Sequence, residues 1–572
     1  MSEQFLTSLE EKPIIAQSDG TILLEVDSPY YEKARDALIL FAELEKSPEY
    51  VHTYRLTPLS LWNAASLGLT ASDVIFQLKK YNKYPLPPNV EKNIVDYIGR
   101  YGKIKLKSSS GELLLFSSDA LLIKEIYNHR LMKPYILDLV SDNTIRVSAE
   151  RRGHIKQVLV EIGYPAEDLA GYIEGERLEV TLLKISKSGK EFVIRNYQKE
   201  AAGAFCRGGC GTVVLPCGAG KTIVGLSVIA KLQTSTLILC PNNIGVKQWI
   251  DEIEDKTSVN RDDIGEYTGG VKEIKPITIT TYQILTYRPN KEETYPHFQI
   301  FNKRPWGLII YDEVHLLPAP VFRITAELQA VRRLGLTATL VREDGREKDV
   351  FTLIGPKKYD IPWRVLEKQR WIATADCYEL RVKFENDEQR LEYCTANEKK
   401  KYRVAATNTY KQQLVNKIVK LHKEDNILII GQYIDQLKDV AKKLNVPLIT
   451  GITPHEKREK LYKQFKEGIL KIMVVSKVAN FALDLPDANV AIQISGTFGS
   501  RQEEAQRLGR ILRPKSFDSP AYFYSIVTKD TKDQDFSANR QLFLTEQGYR
   551  YTILDDEEWE KYAAERTAPE PF

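Results

Sequence analysis

The sequence predicts an α/β protein: two doubly wound parallel-sheet lobes preceded by small α+β domains. Three observations carry this. At 572 residues the chain is too long for a single hydrophobic core. From residue 190 onward, apolar runs of strand length alternate with amphipathic stretches of helix length. A glycine-rich turn, "PCGAGKT", follows one of the first such runs, and an acidic pair, "YDEVH", ends a later one.

The totals narrow the class. A composition of 43% hydrophobic and 28% charged residues excludes a disordered or fibrous chain. With 81 basic and 77 acidic residues the net charge is only +4, so any nucleic-acid groove has to be local. The start, "MSEQFLTSLEEK", lacks a basic end and an apolar core, and no later apolar run reaches membrane-spanning length. A cytoplasmic, nucleoid-associated protein with no membrane partner is the expectation. Six cysteines in so long a chain read as reduced thiols. "CRGGCGTVVLPC" contains no C-x-x-C pair, so Cys206, Cys210 and Cys217 are expected as small buried side chains rather than metal ligands.

In chain order, residues 1–105 read as an N-terminal helical or α+β domain. "TPLSLWNAASLG" supplies Thr57 as a cap, Pro58 in the first turn and Gly68 after the end. "LTASDVIFQLKKY" pairs Thr70 with Asp73 in a capping arrangement, and "PPNVEKNIVDYIGRYG" stops at Gly102. Residues 110–188 read as a second small α+β domain ending in a Ser/Gly/Lys-rich linker. "TVVLP", "TLILCP" and "LIIYDE" are strands of a first parallel lobe over 190–365, and "ILIIG", "IMVVS", "AIQIS" and "YFYSIV" strands of a second over 425–545. Residues 385–424 between them are polar, basic and helix-prone, and read as an insertion outside either sheet. Residues 546–572 read as an acidic, frayed tail.

The chemistry concentrates at the carboxyl ends of the first lobe's strands, where parallel sheets bind ligands. Gly218, Ala219 and Gly220 let backbone N–H groups face a phosphate chain, although Leu215 stands where the usual pattern has its first glycine. Lys221 is expected on the β- and γ-phosphates of ATP, and Thr222 on Mg²⁺. Asp312 would join Thr222 as metal ligand, and Glu313 would polarise the attacking water. Thr337 and Thr339, in "GLTATL", suit a sensor of phosphate loss. In the second lobe "EEAQRLGRILRP" sets Gln506, Arg510 and Arg513 along one helix, and the two arginines suit fingers toward the γ-phosphate.

Taken together, "RNYQ", "PCGAGKT", "ILCPNNIGVKQW", "ITTYQIL", "DEVH", "LTATL", "VSKVANFALDLP" and "QRLGRILRP" stand in the order of superfamily 2 helicases, with their RecA-like lobes. The set resembles most specifically the XPB family, strongly over 190–550. The resemblance implies a DNA-dependent ATPase and 3′-to-5′ helicase or duplex translocase of nucleotide excision repair. It further implies Arg195 and Gln198 at the adenine, Asp484 near the ribose, and a tolerated departure at Leu215. Ala482 departs from the glycine many such motors carry. "VREDG", with Arg342, Glu343 and Asp344, resembles the family's RED loop, implicated in unwinding. Lys399, Lys400, Lys401 and Arg403 resemble its thumb, expected to grip DNA phosphates, with Tyr402 and Tyr410 available to stack on bases. DNA is the implied partner, forked, single-stranded or duplex. A repair nuclease is among the partners the family allows, and the chain is expected as a monomer acting alone or in a complex. Two other classes stay open from the residues alone: a restriction-type duplex translocase, and an ATP-gated DNA clamp without unwinding.

Overall fold

The computed structural model describes residues 11–48, 50–216, 218–290, 295–329, 331–338, 347–361, 363–369, 375–476, 488–496, 521–546 and 549–567. It divides into two compact units: Met1–Glu43 with Thr53–Leu215 and Gly220–Ile361, and Leu44–His52 with Pro216–Ala219 and Pro362–Phe572. Among the described residues no helix is long and apolar enough to cross a membrane.

In the first unit, Ile14–Ala16 and Thr21–Glu25 pair antiparallel ahead of a run of helices, so the N-terminal segment contains sheet as well as helix. The helices start where their caps predict. Helix Pro58–Ser66 is capped reciprocally: Ser60 N–H donates to the Thr57 hydroxyl (3.0 Å) and Thr57 N–H to the Ser60 hydroxyl (3.1 Å). Thr70 and Asp73 do the same for helix Ala71–Tyr81. Helix Pro88–Arg100 ends just before Gly102, whose φ of +76° takes the chain out of the helix.

The next layer is a five-stranded sheet in the order Ile136–Ser141, Thr144–Val147, Glu112–Phe116, Ile104–Ser109, Ala166–Leu169. It begins at residue 104, ahead of the expected start at 110. Its core of Ile104, Leu115, Ile145 and Val147 packs on Ile123 from helix Ala120–Asn128 and on Ile155 and Leu159 from helix Arg152–Glu161. Asp168 closes this layer by accepting from Arg152 (2.5 Å) and Lys156 (3.1 Å). Burial would raise the Asp168 carboxyl, but Lys156 and Arg152 beside it hold it well below the usual carboxylate range.

The remainder of the first unit is a seven-stranded parallel sheet in the order Ile264–Tyr267, Ile277–Thr281, Thr236–Cys240, Leu308–Asp312, Arg332–Thr337, Cys210–Val214, Lys357–Asp360. Its inner strands are buried on both faces, which is why they read as unbroken apolar runs. Leu308–Asp312, Arg332–Thr337 and Cys210–Val214 are neighbours, so their carboxyl ends, and the loops that leave them, lie side by side. Leu215 continues the Cys210–Val214 strand, fully buried, with its N–H donating to Thr337 O (3.0 Å). A side chain at that position belongs to the core, not to the phosphate turn, which accounts for leucine in place of glycine. Of the cysteines expected to be buried, Cys210 is, Cys206 is only half-buried, and Cys217 lies outside the described residues.

The second unit holds another seven-stranded parallel sheet, ordered Leu448–Ile449, Ile472–Ser476, Ile427–Gly431, Val490–Gln493, Ala521–Thr528, Ala375–Val382, Tyr551–Asp555. Three readings of the sequence change here. Ala375–Val382 is a strand of this sheet, so the sheet draws on residues well before 425. The chain after 546 is not frayed: Tyr551–Asp555 pairs with Ala375–Val382, and helix Asp556–Thr567 buries Trp559 (1% exposed) edge-on to Tyr524. The stretch 385–424 forms three helices, Asp387–Thr395, Glu398–Ala406 and Tyr410–Leu421, and the last two pack against the sheet as part of its core through Ala405, Ala406, Leu414, Val415 and Ile418. Tyr402 is 2% exposed, so it does not stack on bases, and Tyr410 packs against the same core.

If Leu215 is a core residue, restoring the usual glycine will harm the protein. Leu215→Gly should cost at least as much as a buried leucine-to-alanine truncation, about 2–5 kcal/mol, read as a lowered thermal midpoint. A wild-type midpoint would return Leu215 to the phosphate loop.

Candidate nucleotide site

The strand Cys210–Val214 runs into a turn in which Gly218 (φ +79°) and Gly220 (φ +80°) adopt the left-handed conformation that glycine takes without strain, and helix Lys221–Leu232 follows at once. Gly220 is required for a second reason: a Cβ there would lie 2.5 Å from Gln198 Nε2. Gln198 is 3% exposed, and its Oε1 accepts from Arg195 N–H (3.0 Å), which leaves its amide nitrogen facing the turn. Arg195 caps helix Asn196–Gly208 and donates to the Tyr197 hydroxyl (2.9 Å). The sequence-assigned Gln198, Gly220 and Lys221 therefore stand together, and Thr222, half-buried, follows in the first turn of the helix.

Lys221 Nζ lies 2.9 Å from Glu313 Oε1, with the two side chains 11% and 19% exposed. Glu313 has φ +48°, a left-handed backbone that costs a residue with a side chain about 1–3 kcal/mol. That turn breaks the strand Leu308–Asp312, starts the short 3₁₀ turn Val314–Leu316 and buries Val314 completely. Burial by itself would raise the Glu313 carboxyl; Lys221, and then His315, override it and keep the group below its ordinary value. Asp312 goes the other way. Burial, followed by the charge of Glu313, pushes it up to about 6.

Three side chains without a role in the sequence reading hold this acid pair. Trp249 Nε1 donates to Asp312 Oδ2 (3.0 Å), and the Tyr282 hydroxyl donates to Asp312 O (2.9 Å). His315 Nδ1 stands 2.6 Å from the Thr337 hydroxyl and 3.5 Å from Glu313 Oε2, linking the acid pair to Thr337. Trp249 is set by Gly225, one turn beyond Lys221 on the same helix, where a Cβ would come within 2.4 Å of the indole ring. "KQW" and "DEVH" stood in the sequence as motifs, but a tryptophan and an acid 63 residues apart carry no local signal of a hydrogen bond.

The remaining assigned residues fall in the second unit or outside the described residues. Lys400, Lys401 and Arg403 lie on helix Glu398–Ala406 in the second unit. Lys400 and Arg403 are exposed; Arg403 lies 3.6 Å from Asp435 Oδ2 and Lys401 pairs with Glu398 at 2.9 Å, while the Lys399 side chain lies outside the described residues. Thr339, Arg342, Glu343, Asp344, Asp484, Gln506, Arg510 and Arg513 also lie outside the described residues.

Trp249→Phe keeps an aromatic ring on Gly225 and removes only the donor to Asp312. ATP turnover should fall about tenfold, the worth of one hydrogen bond to a carboxylate. Unchanged turnover would detach Trp249 from the chemistry.

Comparisons with known proteins bear on the family. The family model described as ERCC3/RAD25/XPB C-terminal helicase matches residues 366–568. The type III restriction enzyme res subunit model matches 191–342, and a helicase conserved C-terminal domain model matches 14–141. The chain is 51% identical to the DNA 3′-5′ helicase XPB of Kineococcus radiotolerans, over 96% of this chain and 97% of that protein. It is 50% identical to the protein of the same name from Mycobacterium tuberculosis, over 96% and 98%. It is 35% identical to the general transcription and DNA repair factor IIH helicase/translocase subunit XPB of Enterocytozoon bieneusi, over 95% and 93%. The restriction-type likeness is confined to the first parallel sheet, while the XPB likeness runs nearly end to end, and the chain therefore belongs to the XPB family of DNA helicases.

Proposed function

We propose that this protein is an ATP-dependent DNA 3′-5′ helicase of DNA repair, with Lys221 and Glu313 at the centre of its ATPase. The observation that carries the reading is their 2.9 Å ion pair, set at the carboxyl ends of parallel strands beside the Gly218–Gly220 turn, in a chain of the XPB family. The pair is a resting arrangement. When the γ-phosphate takes over Lys221, Glu313 loses its counter-charge and becomes a stronger base, free to polarise water. Gln198 and Arg195, fixed to each other, read the adenine at the edge of the turn.

The donor set suits a divalent cation. Two adjacent carboxyls lie beside one lysine, and burial, followed by the charge of Glu313, pushes Asp312 up to about 6. Thr222 and Asp312 would hold Mg²⁺, which supplies neutralisation of the phosphate oxygens when bound. His315, between Glu313 and Thr337, gives the site a route by which loss of the phosphate reaches the neighbouring strand. Arg510 and Arg513 are finger candidates on their sequence pattern. Arg342, Glu343 and Asp344 follow the Thr337 strand in the chain and are assigned to strand separation rather than hydrolysis. Lys400 presents exposed charge for DNA phosphates; Arg403 and Lys401, each already paired with an acid, contribute less.

ATP turnover and strand separation measured side by side on 3′-tailed and 5′-tailed duplexes test the whole reading. The wild type should open the 3′-tailed duplex only with ATP, and Lys221→Ala should do neither while still binding DNA. Arg342, Glu343 and Asp344 all changed to Ala should keep DNA-stimulated turnover and lose opening. Normal turnover in Lys221→Ala, or opening of the 5′-tailed duplex alone, would contradict the assignment.

A further inference from the structure

Beside the edge strand Lys357–Asp360, the first unit holds a cavity of about 430 Å³ where its three layers meet. Leu67 comes from the helical segment, Lys156 and Asp168 from the five-stranded-sheet layer, and Arg207, Cys210 and Lys358 from the parallel-sheet layer. A second cavity, about 590 Å³, adjoins the first: Leu67, Ala204, Arg207 and Lys358 line both. Neither is lined by Lys221, Asp312 or Glu313. Arg207 lies at the far end of helix Asn196–Gly208 from Gln198, roughly 14 Å away along the axis at 1.5 Å per residue.

The charges around these cavities do not balance. Asp168 is one carboxylate serving Arg152 and Lys156, and the buried Arg333 guanidinium is close enough to act on both Lys156 and Asp168. Arg333 directs its N–H groups to the carbonyls of Leu353 (2.7 Å) and Gln329 (2.8 Å) rather than to an acid. Lys156 Nζ reaches Asp168 Oδ2 and Gln329 Oε1 (2.9 Å), two acceptors for three N–H groups. The other acids of the lining are engaged: Glu167 by Lys105 (3.5 Å), Asp360 by Lys357 (2.7 Å), and Glu200 by the Tyr359 hydroxyl (3.0 Å). Lys199, Arg207 and Lys358 have no ion-pair or hydrogen-bond partner among the described residues.

Glycines make room for these cations. Gly203 occupies the interior of helix Asn196–Gly208, where glycine costs about 1 kcal/mol relative to alanine. Two cationic heads stand against it: a Cβ there would lie 3.7 Å from Lys231 Nζ and 3.8 Å from Arg207 Nη1. Lys358 lies across two more, since a Cβ at Gly211 would come within 2.4 Å of its Cγ and one at Gly208 within 3.2 Å of its Nζ. The end of the helix is closed without them. Gly209 N–H donates to Phe205 O (2.8 Å), and the Tyr172 hydroxyl donates to Gly208 O (3.2 Å). Cations gathered without acids repel one another, and an anion between them removes that repulsion.

We propose that the two cavities form one binding site for a small phosphomonoester, separate from the nucleotide site, with its phosphate held by Arg207 and Lys358 and its body against Leu40, Leu67 and Leu69. A phosphate carries nearly two negative charges and three acceptor oxygens, which match two unpaired cations better than the single charge of a carboxylate does. Both volumes fall in the range of small-molecule pockets, about 300–1,000 Å³. The leucines of the second cavity suit an apolar or aromatic body.

The test is calorimetric titration at matched ionic strength with phenyl phosphate, inorganic phosphate and a 5′-phosphorylated duplex, on wild type, Arg207→Gln, Lys358→Gln and Lys221→Ala. Arg207 is exposed, so its replacement keeps the fold. Phenyl phosphate should bind wild type more tightly than inorganic phosphate does, and with the same affinity in Lys221→Ala. Its Kd should rise about tenfold in Arg207→Gln and in Lys358→Gln, as expected for losing one charged hydrogen bond. No binding to wild type, or equal affinity in wild type and both of those variants, would overturn the proposal. Loss of binding in Lys221→Ala alone would overturn it by placing the phosphate in the Gly218–Gly220 turn. A response to the phosphorylated duplex without one to phenyl phosphate would overturn it by making the cations a DNA contact.

Discussion

The ion pair between Lys221 and Glu313 is the interaction on which the proposed ATPase rests, and it is an unfavourable thing to bury. Two charges taken out of water recover little of their solvation from each other, and an aspartate beside them raises the cost. The fold meets that cost with a large apolar sheet. Leu308–Asp312 is buried along nearly all its length, and Trp249, Tyr282 and His315 surround the acids with donors and apolar bulk. The left-handed backbone at Glu313 adds strain at the same place. An arrangement this costly is what a site needs if an incoming phosphate is to take over the lysine and leave the carboxylate reactive.

Much of this was legible in the sequence, for local reasons. Parallel strands covered on both faces show as unbroken apolar runs, so both sheets could be located. Capping pairs such as Thr57 with Ser60 and Thr70 with Asp73 act over three residues and mark helix starts directly. The glycines of the phosphate turn, Lys221 and the Asp312–Glu313 pair are read from chemistry that short spacing displays. Leu215 looked like a defect only because one position of a pattern was weighed apart from the strand it extends.

What escaped the sequence depends on partners distant in the chain. Residues 385–424 look like a charged insertion by composition, yet Tyr402, Ala405 and Ala406 form one apolar stripe and Leu414, Val415 and Ile418 another. Lys411 adds to the misleading charge while being wholly buried, because its partner Asp533 lies 122 residues away. Trp559 sits among acids that suggest a solvated tail, although its ring packs into the sheet's core. Trp249 was quoted in a motif without a task, since the acid it holds is on another strand. In each case average polarity hid a narrow buried face.

The two units thus use charge in the same way at different places. Lys221 with Glu313, and Lys411 with Asp533, are each ion pairs held largely out of water. The most direct measurement of the central claim is nucleotide binding and single-turnover hydrolysis in Glu313→Gln. The account predicts that ATP binds at least as tightly as in wild type, because Lys221 is no longer held by a carboxylate, while hydrolysis slows at least about a hundredfold for loss of the base. Hydrolysis at the wild-type rate, or loss of ATP binding together with hydrolysis, would contradict it.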